Sequence, residues 1–261
     1  MSPFPSLPRL GVPQESPPCD AWVVPIDVVP GQPGWADEFA RLNDPAVGAT
    51  RTAVVTDLLA RIRAVRPGER ALVAVDGVDG AGKSHLASEL VALASECAGR
   101  PVVNVSIDGF HRSRAERMAA GGGPEGFYHG SYRYDALREL VVDRVRSGRP
   151  VVPAVWDVVA DAPVEPAELA LPSDAVVVVD GIFLHRPELV GLWDGSVWLD
   201  VPFAVSVPQG NARFPGLDPD PDAAANLRYV GGQRLYLAVA DPAAAATWIL
   251  DNTDLEHPVL T

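Results

Sequence analysis

Lysine is nearly absent from this chain, whose 261 residues include 20 arginines and a single lysine, Lys83. Cysteine is also scarce: Cys19 and Cys97 are the only two, and their spacing fits neither a metal site nor a redox pair. A fold held by disulfides is therefore not expected, and a reducing compartment is the simplest interpretation. Both cysteines are expected to be structural, because Cys97 falls on the apolar stripe of a predicted helix.

Long apolar runs are missing too. The most apolar stretch, residues 172–183, is far shorter than the roughly 20 residues that a membrane-spanning helix needs. The N-terminus has neither a basic start nor an apolar block, so no secretory signal is expected. The net charge of −13 argues against nucleic acid or an anionic membrane as a partner. We therefore expect a soluble, cytoplasmic protein that binds a small molecule, with homo-oligomer formation left open.

The chain divides into two parts by composition. Residues 1–48 are rich in proline and lack periodicity, which predicts an extended arm with one short strand at residues 21–29. Residues 49–261 alternate strand and helix patterns, which predicts an α/β domain with a parallel sheet covered on both faces. Strands are predicted at 71–76, 101–108, 175–181, 196–201 and 247–251, and helices at 51–66, 86–98, 135–146 and 222–239.

A glycine-rich segment follows the first predicted strand and precedes an amphipathic helix. Its sequence, GVDGAGKS at residues 77–84, matches the phosphate-binding pattern GxxxxGK[ST]. Arginine cannot replace a compact ammonium group in such a loop, which explains why the only lysine stands here. Backbone amides would surround phosphate oxygens while Lys83 reaches the β- and γ-phosphates. The candidate nucleotide-binding residues are Gly77, Val78, Asp79, Gly80, Ala81, Gly82, Lys83, Ser84 and His85.

Two aspartates stand at the ends of predicted strands. Asp180 closes the run VVVVD, where a carboxylate can hold magnesium together with the Ser84 hydroxyl; the alternative is a cap or turn residue. Asp108 closes VVNVSID, where a carboxylate can accept the proton of an acceptor hydroxyl, with a turn residue as the alternative. Together with the glycine loop, these residues indicate a site for ATP and Mg²⁺.

Six motifs resemble the uridine kinase branch of the P-loop kinases, a group that also includes phosphoribulokinase and bacterial pantothenate kinase. They span roughly residues 51–255. The motifs are VAVDGVDGAGKS (73–84), SIDGFH (106–111), GFYHGSYRYDALREL (126–140), VVVDGIFLHRPEL (177–189), RYVGGQRLY (228–236) and DNTD (251–254).

The resemblance implies a P-loop NTPase sandwich of three layers, with a five-stranded parallel sheet and a mobile lid. It makes Asp108 the catalytic carboxylate beside Lys83, and Asp135 the carboxylate that holds ribose hydroxyls of the acceptor. The alternative for Asp135 is a helix N-cap. His111, Tyr128 and Tyr134 are candidates for the acceptor pocket, against packing or surface positions.

Two segments depart from the family pattern. In the lid, expected at about residues 203–227, Arg213 is the only arginine, and prolines are expected to interrupt any helix. We therefore predict a lid that is short, loose or impaired. Arg213 is its candidate catalytic residue, with Arg228 or Arg234 as the alternative, and Arg234 is also a candidate substrate-binding residue. The segment at residues 156–164 lacks the histidine that nucleoside-specific members tend to carry.

Two functions are therefore expected. The first is transfer of the terminal phosphate of ATP to a hydroxyl of a small molecule, above all a nucleoside. The second is nucleotide binding by a regulatory protein whose impaired lid supports little transfer. A GTPase is disfavoured because the segment at residues 252–255 lacks the lysine of the guanine-binding motif.

Overall fold

A six-stranded sheet forms the centre of the computed structural model, which describes residues 48–212 and 216–261. Five strands are parallel, as predicted, and a sixth short strand that the sequence patterns did not indicate runs antiparallel at one edge. The spatial order is β2-β5-β1-β6-β7-β8. The strands are β1 Ala71–Gly77, β2 Val102–Ser106, β5 Val176–Gly181, β6 Gly195–Asp200, β7 Trp248–Asp251 and β8 Val259–Leu260, with a separate hairpin of β3 Trp156–Asp157 and β4 Ala162–Pro163.

Helices follow most of these strands, as in other α/β proteins. A π-helical turn, Arg138–Val142, joins the short helices Tyr134–Leu137 and Asp143–Arg146. The predicted helix at residues 135–146 therefore forms with a local irregularity. Within the described ranges, no helix has the length and apolarity needed to cross a membrane. The helices are α1 Gly48–Arg63, α2 Lys83–Glu96, α3 Arg114–Ala119, α4 Pro124–Gly130, α5 Tyr134–Leu137, α6 Asp143–Arg146, α7 Phe203–Asn211, α8 Leu227–Ala240 and α9 Pro242–Ala245.

The two central strands, β1 and β5, are buried along their whole length. Both consist largely of valine and alanine, which suit a parallel strand covered on both faces. In the register of the sheet, Asp180 lies opposite Val75 on one side and Ser106 on the other. Because the strands are parallel, their carboxyl ends meet at one edge, and this edge carries the candidate site.

Some predictions need correction or fall outside the described ranges. Cys97 is exposed, because α2 ends at Glu96 and Cys97 takes an extended conformation beyond the apolar face of the helix. The predicted strand at residues 101–108 ends at Ser106, where a 3₁₀ turn, Ile107–Phe110, begins. The N-terminal arm, its strand at residues 21–29 and Cys19 lie outside the described residues and stay predictions.

Candidate functional site

The glycine loop connects the end of β1 to the start of α2. Gly80 and Gly82 have φ values of 77° and 91°, in the left-handed region that favours glycine. A Cβ on Gly80 would also lie 2.0 Å from the carbonyl oxygen of Ser206 on α7. The loop therefore needs glycine at residue 80 both for its backbone shape and for the close approach of a neighbouring helix.

Lys83 lies at the first position of α2 and is largely buried, with 9% of its surface exposed. Its ammonium group folds back over the loop and donates a hydrogen bond to the Val78 carbonyl at 2.8 Å. Val78 and Ala81 are buried, and neither lines the cavity that the rest of the loop faces. The loop thus offers one cation and its backbone amides, which is the combination that binds phosphate groups.

Asp180 is the penultimate residue of β5 and lies beside the start of α2. The Ser84 hydroxyl donates to Asp180 Oδ2 at 2.7 Å, and the Asn104 amide donates to Asp180 Oδ1 at 3.1 Å. Burial raises the pKa of the Asp180 carboxyl group, and these two hydrogen bonds oppose that change. A buried carboxylate held next to a hydroxyl is well suited to face a cation.

Asp108 lies in the 3₁₀ turn after β2, and 59% of its side chain is exposed. The Tyr132 hydroxyl donates to Asp108 Oδ1 at 3.0 Å, and His111 Nε2 lies 3.6 Å from the same oxygen. The rings of His111 and Tyr132 stack with their centroids 4.4 Å apart. Burial lowers the pKa of His111 to about 4, so the imidazole is neutral at pH 7.

These groups surround one cavity of about 160 Å³ at the carboxyl ends of the strands. It contains candidate phosphate, metal and acceptor groups from four separate segments of the chain. The lining residues are Asp79, Gly80, Gly82, Lys83, Ser84, His85, Asp108, Tyr132, Asp180, Gly181 and Ile182. The structure therefore brings the glycine loop, Asp108 and Asp180 together in one cavity, as predicted from their positions at the ends of strands.

The donor set at this cavity fits magnesium bound together with a nucleotide. Within residues 48–212 and 216–261, no cluster of three or more acidic, histidine or cysteine side chains forms a metal cage. Ser84 and Asp180 offer two oxygen ligands, and Mg²⁺ in phosphate-transfer sites typically uses one or two protein ligands, water and the phosphates themselves. The chemistry of the residues present is thus compatible with Mg²⁺.

Several candidate acceptor residues do not line the cavity. Tyr128 is buried in the core, where its ring faces the Arg186 guanidinium at 4.6 Å. Tyr134 stacks on the same guanidinium at 4.4 Å. Arg234 pairs with Asp222 at 2.7 Å on the surface. His111 contributes indirectly, through its stacking on Tyr132.

Asp135 is exposed in the first turn of α5. The N-cap of that helix is Arg133, so the cap interpretation of Asp135 is wrong, and the residue is also absent from the cavity lining. Tyr132, three residues earlier, reaches Asp108 instead. A short irregular link between α4 and α5 directs Tyr132 inwards, which a motif match alone does not reveal.

The expected lid region begins with a nine-residue helix, α7, that contains Pro208. The prediction that prolines interrupt any helix here is therefore wrong: the proline removes a single intrahelical hydrogen bond, and the chain leaves the helix only after Asn211. Arg213 lies outside the described residues. Arg228 donates to the Gly121 carbonyl at 2.7 Å, and neither Arg228 nor Arg234 lines the phosphate cavity.

Two residues from the terminal motifs support the glycine loop and were not assigned a role from the sequence. Gln233 Oε1 accepts a hydrogen bond from the Asp79 amide at 2.6 Å, while its Nε2 donates to Asp79 Oδ2 at 3.0 Å. Asn252 Nδ2 donates to the Ala81 carbonyl at 2.8 Å. Their presence in RYVGGQRLY and DNTD was the available signal, but contacts so distant in sequence appear only in the folded chain.

Comparison with solved structures agrees with this architecture. A protein from Bacillus stearothermophilus described as a possible uridine kinase matches with a TM-score of 0.61 and 22% identity, over 76% of this chain and 97% of that one. A "putative fructose transport system kinase" from Silicibacter sp. TM1040 matches with a TM-score of 0.56 and 25% identity, over 72% and 94%. No family model matches the chain. The resemblance to uridine kinase-like P-loop kinases is thereby confirmed at the level of the fold.

Proposed function

We propose that this protein is a P-loop kinase that transfers the terminal phosphate of ATP to a hydroxyl group of a small molecule. The observation that carries the proposal is the position of Asp108 and Asp180 in the same cavity as the phosphate loop. A loop that only bound nucleotide would not require a second, exposed carboxylate in the same cavity. The kinase descriptions of the two structural neighbours support the same reaction class.

Each group has a role that follows from its chemistry. The loop amides and Lys83 bind the β- and γ-phosphates and offset their charge. Ser84 and Asp180 hold Mg²⁺, which when bound neutralises charge on the phosphates. Asp108, whose side chain is more than half exposed, accepts the proton of the acceptor hydroxyl as that oxygen attacks the γ-phosphorus. The ADP oxygen leaves with the electron pair of the broken bond.

A nucleoside is the acceptor that we favour within this class. The support is the motif resemblance together with the uridine kinase description of the first structural neighbour. The second neighbour carries a sugar-related description, so both acceptor classes belong in the first screen. Pooled nucleosides, sugars and hydroxylated vitamins are incubated with MgATP, and mass spectrometry identifies any compound that gains one phosphate.

A second candidate function is nucleotide binding by a regulatory protein. The observation in its favour is that no arginine lines the described cavity, although kinases of this fold commonly close arginines over the phosphates. Tight MgATP binding without phosphorylation of any compound in the screen would favour this second function. Acceptor-dependent formation of ADP would exclude it.

The role of Asp108 is tested by the Asp108→Asn variant. We expect phosphoryl transfer to fall by roughly 10²- to 10⁴-fold, because the amide cannot accept the proton, while MgATP affinity changes little. Asp143→Asn is the matched control, since Asp143 is exposed on α6 away from the cavity. Undiminished turnover in Asp108→Asn, measured with the identified acceptor, would disprove the assignment of the base.

A further inference from the structure

A buried polar cluster lies directly behind the phosphate loop. Its centre is the Asp76 carboxylate, which is fully buried at the end of β1. Asp76 Oδ1 accepts a hydrogen bond from the Gly77 amide at 2.7 Å. Asp76 Oδ2 accepts from the His185 amide at 2.9 Å and from the Tyr236 hydroxyl, and His185 Nδ1 lies 2.8 Å from it. Three separate segments of the chain therefore converge on one carboxylate.

Fold stability alone does not account for such a cluster. Removing a carboxylate from water is costly, and apolar side chains of similar volume are often at least as stabilising. Asp76 and His185 are 0% and 1% exposed, so solvent contributes little to compensate. What the cluster does provide is orientation, because Asp76 fixes the first amide of the phosphate loop.

Helix α8 contacts the loop at a second point. Gln233 and Tyr236 are three residues apart and therefore lie on one face of this helix. Gln233 holds both the amide and the carboxylate of Asp79 inside the loop, whereas Tyr236 holds the carboxylate that precedes the loop. One helical face thus secures the loop on both sides of Gly77.

The third segment of the cluster is continuous with the metal-binding candidate. His185 follows Asp180 by five residues, in the segment that leaves β5. Its backbone amide and its ring both meet Asp76, so the segment after Asp180 is tied to the segment before Gly77. These contacts thereby fix the position of the phosphate loop relative to the Asp180 carboxylate.

We propose that Asp76, His185 and Tyr236 are positioning residues, which set the shape of the phosphate loop relative to Asp180 and so determine the affinity for MgATP. The inference rests on the proposed function and adds to it three residues that do not touch the cavity. It predicts that substitution of these residues changes the Kd for MgATP more than it changes the KM for the acceptor.

The first test is Tyr236→Phe, which keeps the ring and removes the hydroxyl donor. We expect the Kd for MgATP, measured by titration calorimetry on the full chain, to rise by about tenfold, as for the loss of a hydrogen bond to a charged group. The KM for the acceptor should stay within about twofold, since Tyr132 and Asp108 are untouched. Ser196→Ala is the control: it removes a buried hydroxyl near the start of β6, opposite Ala74 of β1, that accepts from the Thr247 amide and makes no contact with Asp76. It should lower Tm without changing the Kd for MgATP.

A second pair of variants separates positioning from folding. In His185→Asn, a side-chain N–H can take the place of Nδ1, whereas in His185→Leu none remains. The asparagine variant should bind MgATP with a Kd close to that of the wild type. The leucine variant should bind MgATP at least about fivefold more weakly, after each Kd is corrected for the fraction of folded protein given by its Tm.

The outcomes distinguish the two proposals. If the wild-type protein binds no MgATP, the proposed function fails, and the positioning role fails with it. If the wild type binds MgATP but Tyr236→Phe and His185→Leu bind it equally well, the positioning role alone is overturned. If Ser196→Ala weakens binding as much as Tyr236→Phe does, the effect is one of general stability and the inference is likewise overturned.

Discussion

At the scale of single residues, the properties of the candidate site depend on the hydrogen-bond and stacking partners of its polar side chains. Asp108 meets Tyr132 and His111, and the stacked His111 ring is held neutral by its burial. Charging that ring would place a cation in a largely buried position, stacked on the buried Tyr132 ring. Protonation of His111 should therefore reduce the stability of the folded protein.

This effect has a definite pH range. The pKa of His111 is about 4 in the folded protein and near its ordinary value of 6.5 in the unfolded chain, so the unfolded chain binds the proton first as pH falls. Stability is complete above about pH 6.5 and is lost progressively towards pH 4. In thermal unfolding from pH 7 to pH 4.5, we expect Tm to fall by several degrees more in the wild type than in His111→Gln. Equal slopes in the two proteins would contradict the assignment.

The residue scale also shows what a motif match can and cannot locate. Lys83, Ser84 and Asp180 were found from the sequence, because a strand–loop–helix pattern fixes where their side chains meet. Tyr132 was missed in favour of Asp135, because one irregular link decides which of two nearby side chains turns inwards. Spacing predicted the neighbourhood of the acceptor site but not its lining.

At the scale of elements, α1 is connected to the phosphate loop through a chain of polar contacts. Arg51, 1% exposed on α1, donates to Glu89 on α2 and to Asn252 Oδ1 at 3.0 Å. Asn252 in turn donates to the Ala81 carbonyl inside the loop. The helix that precedes β1 thus supports the loop that follows β1.

Replacing Arg51 by methionine should be strongly destabilising. The variant keeps the volume of the side chain but leaves Glu89 and Asn252 without their buried partner, a loss of about 3 kcal/mol. In Arg61→Met, the exposed ion pair with Asp57 is removed and the loss should be less than about 1 kcal/mol. Urea unfolding of the three proteins measures both values, and similar losses in the two variants would contradict this account.

The elements themselves were largely predictable, while their arrangement was not. The five parallel strands were recognised from short apolar runs, and in the two fully buried strands, β1 and β5, these runs consist largely of valine and alanine. The antiparallel β8 is only two residues long, and so is each strand of the hairpin Trp156–Asp157 and Ala162–Pro163, too short for periodicity to be visible. The spatial order of the strands depends on contacts between distant segments, which no local pattern records.

At the scale of the whole molecule, the proposed function requires an acidic protein to bind a highly charged anion. The chain has a net charge of −13, and the described cavity is lined by Asp79, Asp108 and Asp180 with one lysine. Lys83 and the loop amides cannot offset three carboxylates and a triphosphate. For the proposed function, this charge balance predicts that a metal ion accompanies the nucleotide.

Removal of Mg²⁺ should accordingly weaken nucleotide binding far more than removal of any one neutral contact. We expect the Kd for ATP in EDTA to exceed that for MgATP by more than about tenfold, because the buried Asp180 carboxylate then faces phosphate oxygens directly. In Asp180→Asn the carboxylate charge is absent, so the ratio of the two Kd values should shrink towards one. Titration calorimetry of both proteins with and without Mg²⁺ gives the four Kd values.

Equal affinity of the wild type for ATP and MgATP would contradict this account. It would show that the loop amides and Lys83 suffice to bind the triphosphate, and it would remove Asp180 from the proposed metal site.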